Sequence, residues 1–329
     1  MNRDGNRVWP VLLAGVVLVV SACAPAHEPA RAARYSKAAY ATTVFDPFWW
    51  YHWVGIKTAH DKGVTGKGTR VAIVDTGLLF DHEDFRPTNL EPGVEFCTGT
   101  EGRAEDQRNG HGTELAGIVG GLIEGHATKG VAPDATLIPY KVVCGTTRAT
   151  IVYQGVDRAV SVAPRADVLL LALGPWPGDT DASGNSLDEL LDLAVRTHPD
   201  TLFVVGSVWD AEFFKRPAWT LRPNVVLVAA MTLDASKTRE VPYNVKRGDI
   251  WAPGRDVETA SIEPRGGRPH ARYKLQGTSA AAAIVAGCAA LLKQATGHTG
   301  AQLRQTVLDA SEEAELPQGK RLKCNKRIP

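Results

Sequence analysis

A single α/β domain, with a doubly wound, mostly parallel sheet and helices on both faces, is predicted by three observations. Five apolar runs, at 69–74, 136–142, 167–173, 201–206 and 225–230, lack the strict alternation of a half-exposed strand, as expected where both faces are covered. Apolar residues at helical spacing lie between them, and strands that alternate with helices form parallel sheets. The length of 329 residues allows one large domain or two small ones, and 44% hydrophobic residues with 32 glycines suit a compact α/β protein. In such sheets the functional groups gather beyond the carboxyl ends of the strands.

Taken from the amino end, Arg3 and Arg7 flank an apolar run over 8–20. It is too short for a comfortable membrane span and right for an export signal, placing the signal at 1–22. The run ends in Val20-Ser21-Ala22-Cys23, which resembles the lipobox of bacterial lipoproteins; that resemblance implies lipid on Cys23, membrane attachment and a cell-envelope location. An ordinary signal peptide or an uncleaved anchor is the alternative. Residues 23–45, rich in Ala, Pro and charge, read as a tether. The domain proper is expected over 46–315. Its first feature, Phe48-Trp49-Trp50-Tyr51-His52-Trp53, reads as packing at the domain entrance, with a partner surface as the other reading.

The first strand ends in Asp75. Pro139 inside the second implies a bulge or an edge, because proline has no donor for a central ladder. From His111, the residues Leu115, Ile118, Val119 and Leu122 recur at helical spacing, with Gly117, Gly120 and Gly121 allowing close packing. Ser186 and Glu189 have capping-box spacing ahead of Leu190, Leu191, Ala194 and Val195. The stretch 280–292 is apolar nearly all round, so a buried helix is expected there. Residues 316–329, with Lys320-Arg321-Leu322-Lys323 and Lys326-Arg327, read as a solvated basic tail.

Three short motifs carry the chemistry: Val71-Ala72-Ile73-Val74-Asp75-Thr76-Gly77, Asn109-Gly110-His111-Gly112-Thr113 and Gly277-Thr278-Ser279. A serine hydroxyl is a poor nucleophile at neutral pH. It needs a neutral imidazole to take its proton and a carboxylate to hold that imidazole in the right tautomer. Singly, Asp75 is also a turn former and His111 and Ser279 are also helix caps; together, in this order, they point to a nucleophilic triad.

The order Asp, His, Ser is that of subtilisin, and the flanking residues extend the likeness. The histidine helix His111-Gly112-Thr113-Glu114-Leu115-Ala116-Gly117, the turn Gly130-Val131-Ala132-Pro133, the loop Trp251-Ala252-Pro253-Gly254 and the serine helix with Val285-Ala286-Gly287 all resemble subtilases over roughly 46–315. The resemblance implies a subtilisin-like fold and a serine endopeptidase with polypeptide substrates. Asp75 would orient His111, His111 would act as base and then acid, and Ser279 would attack. Leu171, Ala172, Leu173 and Gly174 stand where the family lines its primary specificity pocket, with Gly206 and Ser207 as further wall. It also makes the strands before Cys97 and Cys144 neighbours, so these two cysteines are expected to pair, while Cys288 reads as a small buried thiol.

Three departures stand out. Where subtilases carry an oxyanion-binding asparagine, the chain reads Val204-Val205-Gly206-Ser207-Val208-Trp209-Asp210, placing Trp209 or, with a one-residue slip, Asp210 at that position. His82 and Asp84 match family positions, but the loop 122–129 lacks the asparagines of a calcium site and offers only Glu124, so calcium is unsupported and no cofactor is expected. The 24–45 stretch is too short for the propeptide that assists folding in many secreted subtilases.

A net charge of +1 and the lack of a long basic run argue against nucleic acid as a partner. Two classes of function remain open from sequence. One is a lipid-anchored endopeptidase; the other is a pseudoprotease, an envelope binding module with a defective oxyanion hole. The intact triad favours the enzyme, because a binding module has no need of all three groups.

Overall fold

The computed structural model describes residues 48–98, 103–106, 109–122, 128–145, 148–174, 180–207, 216–234, 236, 239–243, 247–262, 273–317 and 319–329. The signal, the Cys23 motif and the tether lie outside the described residues.

In chain order the elements are α1 (Trp49–Trp53), α2 (Ile56–Asp61), β1 (Arg70–Asp75), β2 (Val94–Glu95), α3 (His111–Gly120), β3 (Thr136–Lys141), α4 (Ala149–Ser161), β4 (Val168–Leu171), α5 (Leu187–Thr197), β5 (Leu202–Gly206) and β6 (Val225–Leu233). There follow β7 (Glu240–Pro242), β8 (Ile250–Pro253), β9 (Val257–Thr259), β10 (Tyr273–Leu275), α6 (Thr278–Thr296), α7 (Gly300–Asp309), β11 (Ser311–Glu313) and β12 (Lys320–Leu322). The main sheet runs β11-β12-β8-β6-β5-β4-β1-β3-β2, with β7 paired to β6. All pairings from β12 through β2 are parallel; β7 and β11 attach antiparallel.

The five apolar runs correspond to β1, β3, β4, β5 and β6. Their missing alternation has a direct cause: successive side chains enter two different cores. Val71 and Ile73 of β1, with Leu202 and Val204 of β5, pack toward α3 and α6. Ala72 and Val74, with Phe203 and Val205, pack toward α4 and α5. Both faces are apolar, so the sequence shows no polar face. At α5 the capping box is formed: Ser186 Oγ accepts from Glu189 N at 3.4 Å, and Glu189 Oε2 accepts from Ser186 N at 2.7 Å. The aromatic cluster is packing, with Trp49, Trp50 and Tyr51 buried in α1.

Pro139 sits in regular pairing with β1, opposite Ile73. Thr136 N and Val142 N donate toward the β1 side, whereas Leu137 O and Lys141 O accept from Glu91 N and Phe96 N on the other. The missing N–H of Pro139 therefore points outward, between the Leu90–Leu137 bridge and the two-residue strand β2, where no ladder bond is lost.

The carboxyl-terminal stretch corrects three expectations. Residues 316–329 are not a solvated tail: β12 joins the sheet beside β8, with Arg321 opposite Trp251. Trp251, Ala252 and Pro253, which resembled a loop, form β8, and Trp251 Nε1 donates to Pro317 O at 2.6 Å. Cys288 is not a free thiol but is bonded to Cys324, both sulfurs being inaccessible. Burying Leu322 and Ile328 rewards this docking, a long-range contact that no local pattern announces. Cys97 and Cys144 are joined by the second disulfide.

The Cys288–Cys324 bridge closes a separation of 36 residues, so its loss is expected to cost about 2–4 kcal/mol. The Cys288→Ser, Cys324→Ser double variant should show a correspondingly lower urea midpoint. A midpoint equal to wild type would mean that the bridge adds nothing to docking of the terminal strand.

Candidate active site

β1 lies between β3 and β4, where the chain reverses its direction of travel across the sheet. Such switch points open a crevice at the carboxyl ends of the strands. Asp75 is the last residue of β1 and is wholly buried, with Oδ1 accepting from Thr76 N at 2.8 Å. His111 is the first residue of α3, and its Nδ1 lies 2.9 Å from Asp75 Oδ1 and 3.0 Å from Oδ2. Since a carboxylate can only accept, Nδ1 is assigned the proton, which leaves Nε2 as the basic nitrogen.

Two glycines permit this approach. A Cβ on Gly112 would lie 2.2 Å from Gly77 O, and Gly110 caps the helix at φ +88°, a left-handed conformation. Electrostatics follow from the geometry. Burial pushes the His111 pKa down, but Asp75, by charge and by hydrogen bond, with Glu114 and Asp106 beyond it, holds it up at about 9. The ring remains 27% exposed, so it can meet substrate.

Ser279 is the second residue of α6, after Gly277 at φ +97°. It lies within the first turn, whose backbone N–H groups have no intrahelical acceptor and point out of the helix end. Its Oγ donates to Ala172 O at 3.4 Å, which places the serine against the end of β4. Gly206, closing β5, faces Thr278, for a Cβ there would lie 3.4 Å from Thr278 O. The ends of β4 and β5 and the start of α6 thus converge. Among the described residues the Ser279 hydroxyl makes no hydrogen bond to His111; such bonds are commonly long before substrate is present.

Of the expected wall, Leu171 and Ala172 are buried, Leu173 is half-buried and Gly174 follows the strand. Ser207 is buried, and its N–H is taken up by Val228 O at 2.8 Å. Trp209, Asp210 and Glu124 lie outside the described residues. His82 and Asp84 are buried, with Asp84 N donating to His82 Nδ1 at 3.1 Å. Among the described residues no group of three or more His, Cys, Asp or Glu side chains is placed to hold a metal.

Sequence reasoning missed two residues beside the pair, Thr76 and Asp106. The Thr76 hydroxyl donates to Asp106 Oδ2 at 2.7 Å and accepts from Gly112 N at 2.8 Å. An acidic residue shortly before the Asn109-Gly110 turn is the available signal, since such side chains commonly close turns on backbone amides.

An Asp–His pair at a switch point, with a serine in the first turn of a helix against the end of the neighbouring strand, is what a serine hydrolase on a parallel sheet requires. The particular family follows from comparison. The subtilase family model matches residues 66–325, and the chain belongs to this family of serine-type endopeptidases. It is 30% identical over 265 residues to a thermostable alkaline protease of Halalkalibacterium halodurans, covering 79% of this chain and 66% of that one. It is 33% identical over 251 residues to subtilisin BL of Lederbergia lenta, covering 75% and 84%. The major intracellular serine protease of Bacillus subtilis is 30% identical over 240 residues, covering 70% of each. Among solved structures, fervidolysin from Fervidobacterium pennivorans, a keratinolytic enzyme related to subtilisin, superposes with a TM-score of 0.68 at 20% identity, covering 85% of this chain and 45% of that one. That likeness speaks for the fold.

Proposed function

We propose that this chain is a serine endopeptidase which cleaves polypeptides through an acyl-enzyme at Ser279, held by a lipid on Cys23 at the outer side of a bacterial membrane. The observation that supports the chemistry is the 2.9 Å contact between His111 Nδ1 and buried Asp75, with Ser279 in the first turn of α6 against the end of β4.

His111 Nε2 takes the hydroxyl proton as Ser279 Oγ adds to the substrate carbonyl, and Asp75 stabilises the imidazolium. The oxyanion is met by the backbone N–H of Ser279, aided by the positive end of α6. Collapse expels the amine, which receives the proton from His111. Water then repeats the sequence on the acyl ester, with His111 again as base.

A phosphonate probe for activated serines tests this. One adduct on Ser279 is expected, lost in Ser279→Ala; no adduct on folded protein would leave a subtilase-fold binding module as the better account. The second oxyanion donor is tested alongside. With Asp210 at that position, a donor requires a protonated carboxyl, in conflict with a neutral His111 at the same pH. Asp210→Asn should then raise kcat by about tenfold or more, whereas with Trp209 there the activating change is Trp209→Asn. If neither variant gains activity, the hole is completed otherwise.

Anchoring rests on the Val20-Ser21-Ala22-Cys23 motif. Cys23→Ser should shift the protein from the membrane fraction to the soluble fraction. Unchanged fractionation would count against a lipid at this residue.

A further inference from the structure

We propose that Asp106 is a positioning residue for the hydrolytic pair: its one buried carboxylate gathers the turn before His111 and the hydroxyl after Asp75, and so sets how the two side chains meet. This rests on the endopeptidase reading of the same site.

Asp106 is 2% exposed. Its Oδ2 accepts from Thr76 Oγ1 at 2.7 Å, from Gly110 N at 3.0 Å and from Thr113 Oγ1 at 3.4 Å, while Oδ1 accepts from Asn109 N at 3.2 Å. The Thr76 hydroxyl has one proton, and the Gly112 N–H already points at its oxygen, so that proton must go to Asp106. Thr76 follows Asp75 and Gly112 follows His111. The pair is therefore bracketed one residue downstream on each side by a bond whose direction Asp106 dictates. The segment carrying Asp106 is itself fixed to the continuation of β1, for Asp106 N donates to Leu78 O at 3.0 Å and Leu78 N to Ala104 O at 2.8 Å.

Only a carboxylate suits this place. All four contacts are donors, and they use both oxygens. An asparagine would turn an NH2 group toward the N–H of Asn109 or Gly110, leaving two donors opposed in a buried turn. The turn would relax, and misplacing a catalytic group by about 1 Å costs on the order of 100-fold in rate. Asp106 also adds negative charge near the imidazolium, together with Asp75 on β1 and Glu114 in the first turn of α3.

The test compares Asp106→Asn, Thr76→Val and Thr76→Ser in the full-length protein, each with its thermal midpoint. For Asp106→Asn, kcat per labelled Ser279 should fall about 10- to 100-fold with KM within about threefold, and the acid limb of kcat/KM should move to lower pH. Thr76→Val keeps the charge, so kcat should fall while the limb stays in place; Thr76→Ser restores the hydroxyl and should recover most of kcat. A purely structural role would lower the midpoint and the fraction labelled but leave kcat per labelled site and the limb unchanged. That result would overturn the proposal.

A second readout needs no turnover. His111, isotope-labelled and followed by NMR, should titrate at lower pH in Asp106→Asn than in wild type, and at an unaltered pH in Thr76→Val. If wild type neither cleaves peptides nor takes the phosphonate, the endopeptidase reading fails while this titration still decides the role of Asp106. Equal His111 midpoints in wild type and folded Asp106→Asn would reject it. Should Asp106→Asn not fold, wild-type kcat in Thr76→Val would do so.

Discussion

Replacing Ser279 with alanine should all but abolish hydrolysis of unstructured peptides, and His111→Ala should do nearly the same. Members of such a unit act together, so removing either should cost about 10^6-fold in kcat, a scale already established for subtilisin itself. The residual rate should stay above that in water, because the α6 N–H groups and the cleft still bind the substrate carbonyl. Ser279→Ala should disturb folding little, for the hydroxyl makes a single 3.4 Å bond to Ala172 O, whereas His111→Ala leaves buried Asp75 without its partner and should lower stability as well as activity. Purified Ser279→Ala cleaving as fast as wild type would overturn the mechanism.

The second large effect is that of Asp75→Asn, expected to lower kcat about 10^4-fold by favouring the wrong imidazole tautomer. The pH profile should change with it. His111 is a base only when neutral, and its pKa is held up at about 9 by Asp75 against the downward push of burial. In wild type kcat/KM should therefore fall about tenfold for each pH unit below that value. In Asp75→Asn the main upward influence is gone, so the remaining activity should rise at lower pH, nearer the ordinary histidine value. A wild-type profile already flat from pH 7 to 10 would contradict the electrostatics.

Stability carries the opposite sign. A histidine whose pKa is raised in the folded state adds stability that is fully present below its unfolded value of 6.5 and lost as pH rises through about 9. Above that pH the enzyme gains its base and gives up this contribution to folding.

Much of the fold was legible because it is written locally. β1, β3, β4, β5 and β6 are continuous apolar runs since both cores claim them, and Asp75, His111 and Ser279 sit at element ends marked by glycine. What escaped is non-local. β12 is two basic residues and a leucine that become a strand only through their neighbours β8 and β11, and Cys324 has no local sign of its partner on α6. Trp251, Ala252 and Pro253 end in a proline that a central strand would refuse, yet β8 accommodates Pro253 as its last residue. Asp106 looked like any loop acid. Its role depends on four donors arriving from three segments, and only the folded chain assembles them.

The burial of α6 has a consequence for the enzyme's own survival. From Ala280 through Leu292 every residue of that helix is buried, between the sheet on one side and α3 and α7 on the other. Its amides should exchange with deuterium only when the whole domain opens, whereas those of surface turns exchange by local fluctuation. A protease molecule meeting another copy of itself can thus nick the periphery, but it reaches the segment bearing the nucleophile only through complete unfolding. Autolysis at that helix should consequently track global stability, slowing with every change that raises the denaturation midpoint.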